Sequence, residues 1–342
     1  MSDRMDQKVD TGSIAIQSQR DTNIGLTAEQ VIDAISQQLP AFGMIAREIV
    51  DARVQVFKDE VHKKLANQEA RLEAFGDPGF VSTLHAAQKS YAISGDREVN
   101  DILVDLISRR SLEESRTRKS LSLDQAVEAT GNLTKTEFAE LSVSYIFGYT
   151  SNHGINNIDT FSQYLRNHID PFVDDISLHD SAYSYLEAQR CATVSMGSSD
   201  FRSIMVANYA GLMSKGVEEA TFAAIMPSGS LPQSLLTQCL HNPALAQLNA
   251  TSKDVFMTAG KAAEVPDEAT NQLWATFEQS LMTSEEFVAA YEPHVPNLRR
   301  FVSAWDETPL SHLQLTTIGI AIGYTNAIRM TPMTADLGIW IK

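Results

Sequence analysis

One helical pattern near the start of this chain limits what the chain can fold into. Between about Ala41 and Phe75, apolar residues recur at Val50, Val54, Phe57, Val61, Leu65, Leu72 and Phe75. That three-and-four spacing lines one face of a helix. At about 1.5 Å per residue the stretch reaches roughly 50 Å, against about 11 residues for a usual globular helix. A helix of that length needs a partner along its whole length. The expectation is a second copy, making the protein a homo-oligomer with Val50, Val54, Phe57, Val61 and Leu65 as candidate interface residues. The alternative is that the same stripe packs within one chain on helices at 81–110.

The rest of the chain punctuates itself with caps and turns. Residues 1–26 are polar, with strand-like alternation at Ser13–Gln17 and again near Ile24. Two such segments are marginal alone, so the stretch reads either as a polar tail or as short β segments that pair between copies. Thr27 with Gln30 forms a capping box, and Leu39-Pro40 marks a break before the long helix. Asp77-Pro78-Gly79 closes the region. Asp96 caps a helix whose stripe is Val99, Ile102, Leu103, Leu106 and Ile107. Ser122/Gln125, Thr134/Glu137 and Thr283/Glu286 read as further capping boxes. The turn-forming run 151–157 divides a helical assembly domain, 27–150, from a mostly helical C-terminal domain, 151–342. The latter ends in a strand at His312–Leu315 and a helix, an arrangement resembling the end of a winged-helix module. The fold class is mainly α, stacked helices with minor β at the N-terminus and near the C-terminus.

Charge narrows the partners. With 43 acidic against 27 basic side chains the formal net charge is −16, which opposes general nucleic-acid binding and docking to an anionic membrane. The opening MSDRMDQKVDTGS lacks the apolar core of a signal peptide. The longest apolar run, Leu315–Ile328, is broken by Thr316, Thr317, Tyr324, Thr325 and Asn326 and falls short of a membrane span. With two cysteines, Cys191 and Cys239, the chain is no disulfide scaffold, and the cytoplasm is the expected location.

Two constellations carry the chemistry the sequence offers. His168, Asp170, Asp174, Asp175, His179 and Asp180 are the ligand types of a hydrolytic metal site. Their spacing matches no named motif, and an acidic loop explains them as well. Arg109, Arg110 and Arg116, with Arg118 and Lys119, are anion-binding candidates for a nucleotide or a nucleic-acid backbone. Pairing of Glu114 with Arg118 on a solvated helix is the plainer reading. Neither GLMSKG (211–216) nor TAGKAA (258–263) has phosphate-loop spacing, and MGSSDF (196–201) is no nucleophile elbow. Cys239 and His241 are too close in sequence to imply a dyad. No cofactor is expected.

The run GDREVNDILVDLISRRSLEESR (95–116), with SYLEAQRC (184–191), QLTTIG (314–319) and LGIWI (337–341), resembles an uncharacterised bacterial family known only under locus-type names. The Gln- and Asp-rich opening IQSQRDTNIGLT (16–27) fits the same resemblance. It implies an accessory role in bacterial conflict or phage-defence loci and brings no catalytic residues with it. The sequence therefore reads as a non-enzymatic, self-associating interaction or sensing component. A metal-dependent hydrolase at 168–180 and a nucleic-acid or nucleotide sensor at 109–119 are the alternatives.

Overall fold

A computed structural model describes residues 28–67, 72–114, 116–226 and 229–342, with side chains from Gly43 onward except Asn67 and Leu72. The expected N-terminal β segments and the Thr27 cap lie outside the described residues. Among those described, fourteen α-helices and four three-residue strands make the fold mainly α. The chain divides into two units, residues 1–53 and 54–342.

Helix α1 runs from Ala28 to Asn67 without interruption, 40 residues in all. This corrects both expected ends. Pro40 lies within helical backbone because one missing hydrogen bond does not outweigh the cooperative ladder on either side. Leu72–Gly76 forms a separate 3-10 turn instead of continuing the helix. Asp77-Pro78-Gly79, expected as a turn that closes the region, instead opens the next helix. Asp77 accepts from the Gly79 N–H with Pro78 in the first turn of α2 (Pro78–Ser94). Gly95, at φ 64°, ends α2 in the left-handed region that glycine enters without strain. Asp96 accepts from the N–H groups of Glu98 and Val99 to open α3 (Arg97–Arg110). Helix α4 (Arg118–Thr130) starts earlier than expected, capped by Thr117 and not by Ser122. Helix α5 (Lys135–Tyr149) opens on the expected box, the Glu137 carboxylate accepting from the Thr134 N–H at 2.8 Å.

The remaining helices are α6 (Ile158–Ile169), α7 (Asp180–Ala188), α8 (Phe201–Tyr209), α9 (Glu219–Ala223), α10 (Lys253–Ala262), α11 (Asp267–Glu278), α12 (Ser284–Tyr291), α13 (Leu298–Asp306) and α14 (Thr317–Met330). Strand β1 (Ala192–Val194) pairs antiparallel with β4 (Leu313–Leu315), Ala192 opposite Leu315. Strand β2 (Leu236–Gln238) pairs with β3 (Ala246–Leu248). The strand read near residue 312 is therefore β4, and its partner comes from far upstream.

Helix α14 explains the apolar run that fell short of a membrane span. Every residue from Ile318 to Ala327 is buried, and the helix packs against α3, α4 and α5. Its approach to α5 is backbone against side-chain-free backbone. A Cβ added at Gly323 would run into the Leu141 carbonyl oxygen of α5, and one at Gly319 into the carbonyl of Cys191, just before β1. Glycine is the residue that permits such contact. No helix among the described residues is long and apolar enough to cross a membrane.

Candidate functional site

The face of α1 predicted to bind another copy separates into two parts. Phe57 and Val61 are buried, 1% and 7% exposed, and Leu65 packs against the same core. Phe57 meets the Tyr91 ring with centroids 6.5 Å apart. Beside them Asn100 donates to Glu60, and Lys64 pairs with Asp105 at 2.6 Å. These three apolar residues face their own chain, Phe57 and Val61 each contributing about 1.5–3 kcal/mol by burial, so the intrachain packing kept open as the alternative applies to them. Val54 is half-buried and Val50 exposed.

Apart from Val50, the exposed apolar residues of α1 lie off that stripe. Met44, Ile45, Ile49, Val50 and Val56 stand 65%, 55%, 45%, 39% and 43% exposed. Ile45, Ile49, Ala52 and Val56 are spaced four, three, four, and all are exposed. At about 100° per residue this stripe lies roughly 150° around the helix from the Val50–Val54–Phe57–Val61–Leu65 stripe. The helix is thus apolar on two nearly opposite sides. The heptad spacing was legible in the sequence, but the first stripe, being longer, hid it.

The arginine cluster does not form one basic surface. Arg109 stacks its guanidinium 4.6 Å from the Tyr324 ring centroid and donates to the Tyr324 hydroxyl at 2.9 Å. Arg110 is 2% exposed, with Nε 2.7 Å from Asp124 and Nη2 3.0 Å from Asp77. Burial works against its charge, but the two carboxylates more than offset that and hold its pKa above the ordinary value. The Asp77 carboxyl is held low by the Gly79 N–H and by Arg110. Arg116 is exposed, in the left-handed region at φ 61°. Lys119 pairs with Glu113 at 2.7 Å. Of the three anion-binding candidates, then, Arg109 and Arg110 hold the interior together and Arg116 alone is open to solvent.

The His/Asp cluster is likewise dispersed. His168 is buried in α6, its Nδ1 2.7 Å from the Tyr164 carbonyl and its ring 4.5 Å from the Tyr164 ring. Burial lowers its pKa and favours the neutral ring. Asp170 accepts from Asn297 at 2.9 Å, and Asp174 pairs with Arg300. His179 and Asp180 open α7 on the exposed surface. Among the described residues no three His, Cys, Asp or Glu side chains come together as a metal site would need. Both cysteines are free and buried, and burial pushes the Cys191 thiol up to about 12. His241 bonds the Leu212 carbonyl at 2.9 Å and the Tyr291 hydroxyl at 3.1 Å, away from any dyad with Cys239.

Two surface cavities accompany these groups. One of about 340 Å³ is lined by Glu98, Asp101, Asp175, Lys135 and Arg329. Within it Arg329 already pairs with Glu98 at 3.0 Å and Asp101 at 3.5 Å. The other, about 380 Å³, is lined by Ser144, Tyr149, Ser195, Asn208, Trp305 and His312 among others. Sequence reasoning missed one titratable group altogether, Glu140. It is 0% exposed in the middle of α5, accepts from the Ser177 N–H at 3.2 Å through Oε1, and has no hydrogen-bond partner at Oε2. Burial raises its pKa to about 8.

A model of an uncharacterised protein family matches residues 25–341. No curated protein and no solved structure matches the chain.

Proposed function

We propose, for a chain that belongs to the uncharacterised family matched over nearly its whole length, that it is a non-enzymatic component working by self-association through α1. The observation that carries this reading is the exposed apolar stripe Ile45–Ile49–Ala52–Val56, on the side of the helix away from Phe57 and Val61. A helix that exposes such a stripe needs a covering partner, and a copy of itself carries the matching surface. The earlier interface prediction is revised accordingly: the seam is Ile45, Ile49, Ala52 and Val56, Val50 and Val54 lie on the other side of the helix, and Phe57, Val61 and Leu65 serve the core. Of the groups that would carry a hydrolase, His168 packs on Tyr164, Asp170 accepts from Asn297 and Asp174 pairs with Arg300. The resemblance of 95–116 and the other quoted runs to an uncharacterised bacterial family associated with conflict loci motivates a place in anti-phage defence, with a further protein of the same locus as partner. The two free, buried cysteines accord with a reducing, cytoplasmic setting.

The test is the molar mass of the full chain by light scattering. Wild type is expected above the 37.7 kDa of one chain. Ile45→Asp/Ile49→Asp is expected to be a monomer with unchanged helicity. A wild type that is monomeric at about 100 µM, a concentration at which even micromolar association would be visible, overturns the reading.

A further inference from the structure

The stripe on α1 also specifies how the copies are arranged, an inference that rests on the self-association reading. The four, three, four spacing is that of a coiled-coil seam. Ile49 and Val56 occupy the a positions, and Ile45 and Ala52 the d positions. The same spacing continues upstream in the sequence at Phe42, Gln38, Ile35 and Val31. Glu48 then falls at g and Arg53 at the following e. We propose that α1 forms a parallel, in-register coiled coil of more than two copies of this chain.

Direction follows from charge. In a parallel coil the g side chain of one helix faces the e side chain five residues later on its neighbour, which sets Glu48 against Arg53 of the next copy. In an antiparallel coil g faces g and e faces e, and this pair never meets. Arg53 already has an interaction within its own chain, and the neighbour's Glu48 adds to it. Strand number follows from side-chain shape. Isoleucine at both kinds of seam position, as at Ile45 and Ile49, shifts the preference from two strands to three or four. Ala46, at the e position beside them, widens the apolar surface in the direction that a third helix covers. Register follows from polarity, because the seam meets Asp59 and Lys63 at its next two positions. Any sliding of the copies would bury one of those charges.

The arrangement is tested with single cysteines introduced in the full chain, where Cys191 and Cys239 are buried. Ile45→Cys and Val56→Cys, each oxidised alone, are expected to cross-link to themselves at least about tenfold more than Asp51→Cys, whose position lies outside bonding distance across the coil. Light scattering is expected to give three or more times the mass of one chain. Cross-linking only in a mixture of the Ile45→Cys and Val56→Cys chains would show antiparallel pairing and overturn the proposal while leaving self-association standing. A dimer by mass would overturn the strand number. A monomer would overturn the functional reading itself.

Discussion

Glu140 gives the sharpest quantitative test of how this core is built. It sits in the middle of α5 with no exposed surface, and burial is the main reason its pKa rises from 4.5 to about 8. The Ser177 N–H holds the shift back, and the nearby Glu137 charge adds to it. A carboxyl whose folded pKa lies above its unfolded value binds more protons in the folded state. Its contribution therefore favours folding below the unfolded pKa and is lost as pH climbs from about 4.5 to about 8. A shift of that size, from 4.5 to about 8, amounts to roughly 5 kcal/mol at about 1.4 kcal/mol per unit. Glu140→Gln keeps the shape and the acceptor for Ser177 but cannot ionise. Urea unfolding of both proteins at pH 5.5, 6.5, 7.5 and 8.5 should show the variant gaining stability over wild type by about 1.4 kcal/mol per pH unit up to about pH 8, then no further. Chain concentration must be held fixed, since an oligomer's stability depends on it. A difference between the two proteins that does not change with pH would refute the assignment of a buried, neutral Glu140.

Three other substitutions separate packing from assembly. Arg110→Met leaves Asp77 and Asp124 facing each other without their cation, and is expected to lower stability in urea unfolding, with Arg110→Lys recovering only part because one ammonium cannot serve both carboxylates as the planar fork does. Gly323→Ala drives a methyl into the Leu141 carbonyl and is expected to cost about 3 kcal/mol or more, whereas Gly148→Ala, with nothing within 4 Å, should cost far less. Phe57→Ala empties a core site and is expected to lower stability by about 3–5 kcal/mol with no change in oligomer mass, the opposite of Ile45→Asp/Ile49→Asp; loss of mass in Phe57→Ala would return Phe57 to the interface.

The helices were legible because their ends carry local chemistry. Asp96, Thr134 and Thr283 cap where their sequences say they should, since a cap depends on three or four neighbouring residues. What depends on distant residues was not legible. Nothing in the sequence around Arg110 announces that Asp77 and Asp124 will meet it, and the run 109–119 therefore read as a basic surface. The His/Asp run read as a possible ligand set because sequence proximity stands in poorly for spatial proximity, with His168 buried on α6 and His179 exposed at the start of α7. On α1 the period was recognised but not its double use. One helix presents two apolar stripes, and periodicity alone does not say which of them the chain's own core covers.

The burial of α14 has a consequence in time. Helix α5 leaves the ribosome long before α14 does, and the chain between Tyr149 and Thr317 takes on the order of ten to thirty seconds to synthesise. Throughout that interval the side of α5 that will receive Gly323 has nothing to close against. The nascent chain therefore exposes that side of α5 until α14 emerges, and a transcript cut short before α14 yields a polypeptide with an open core that proteases can remove.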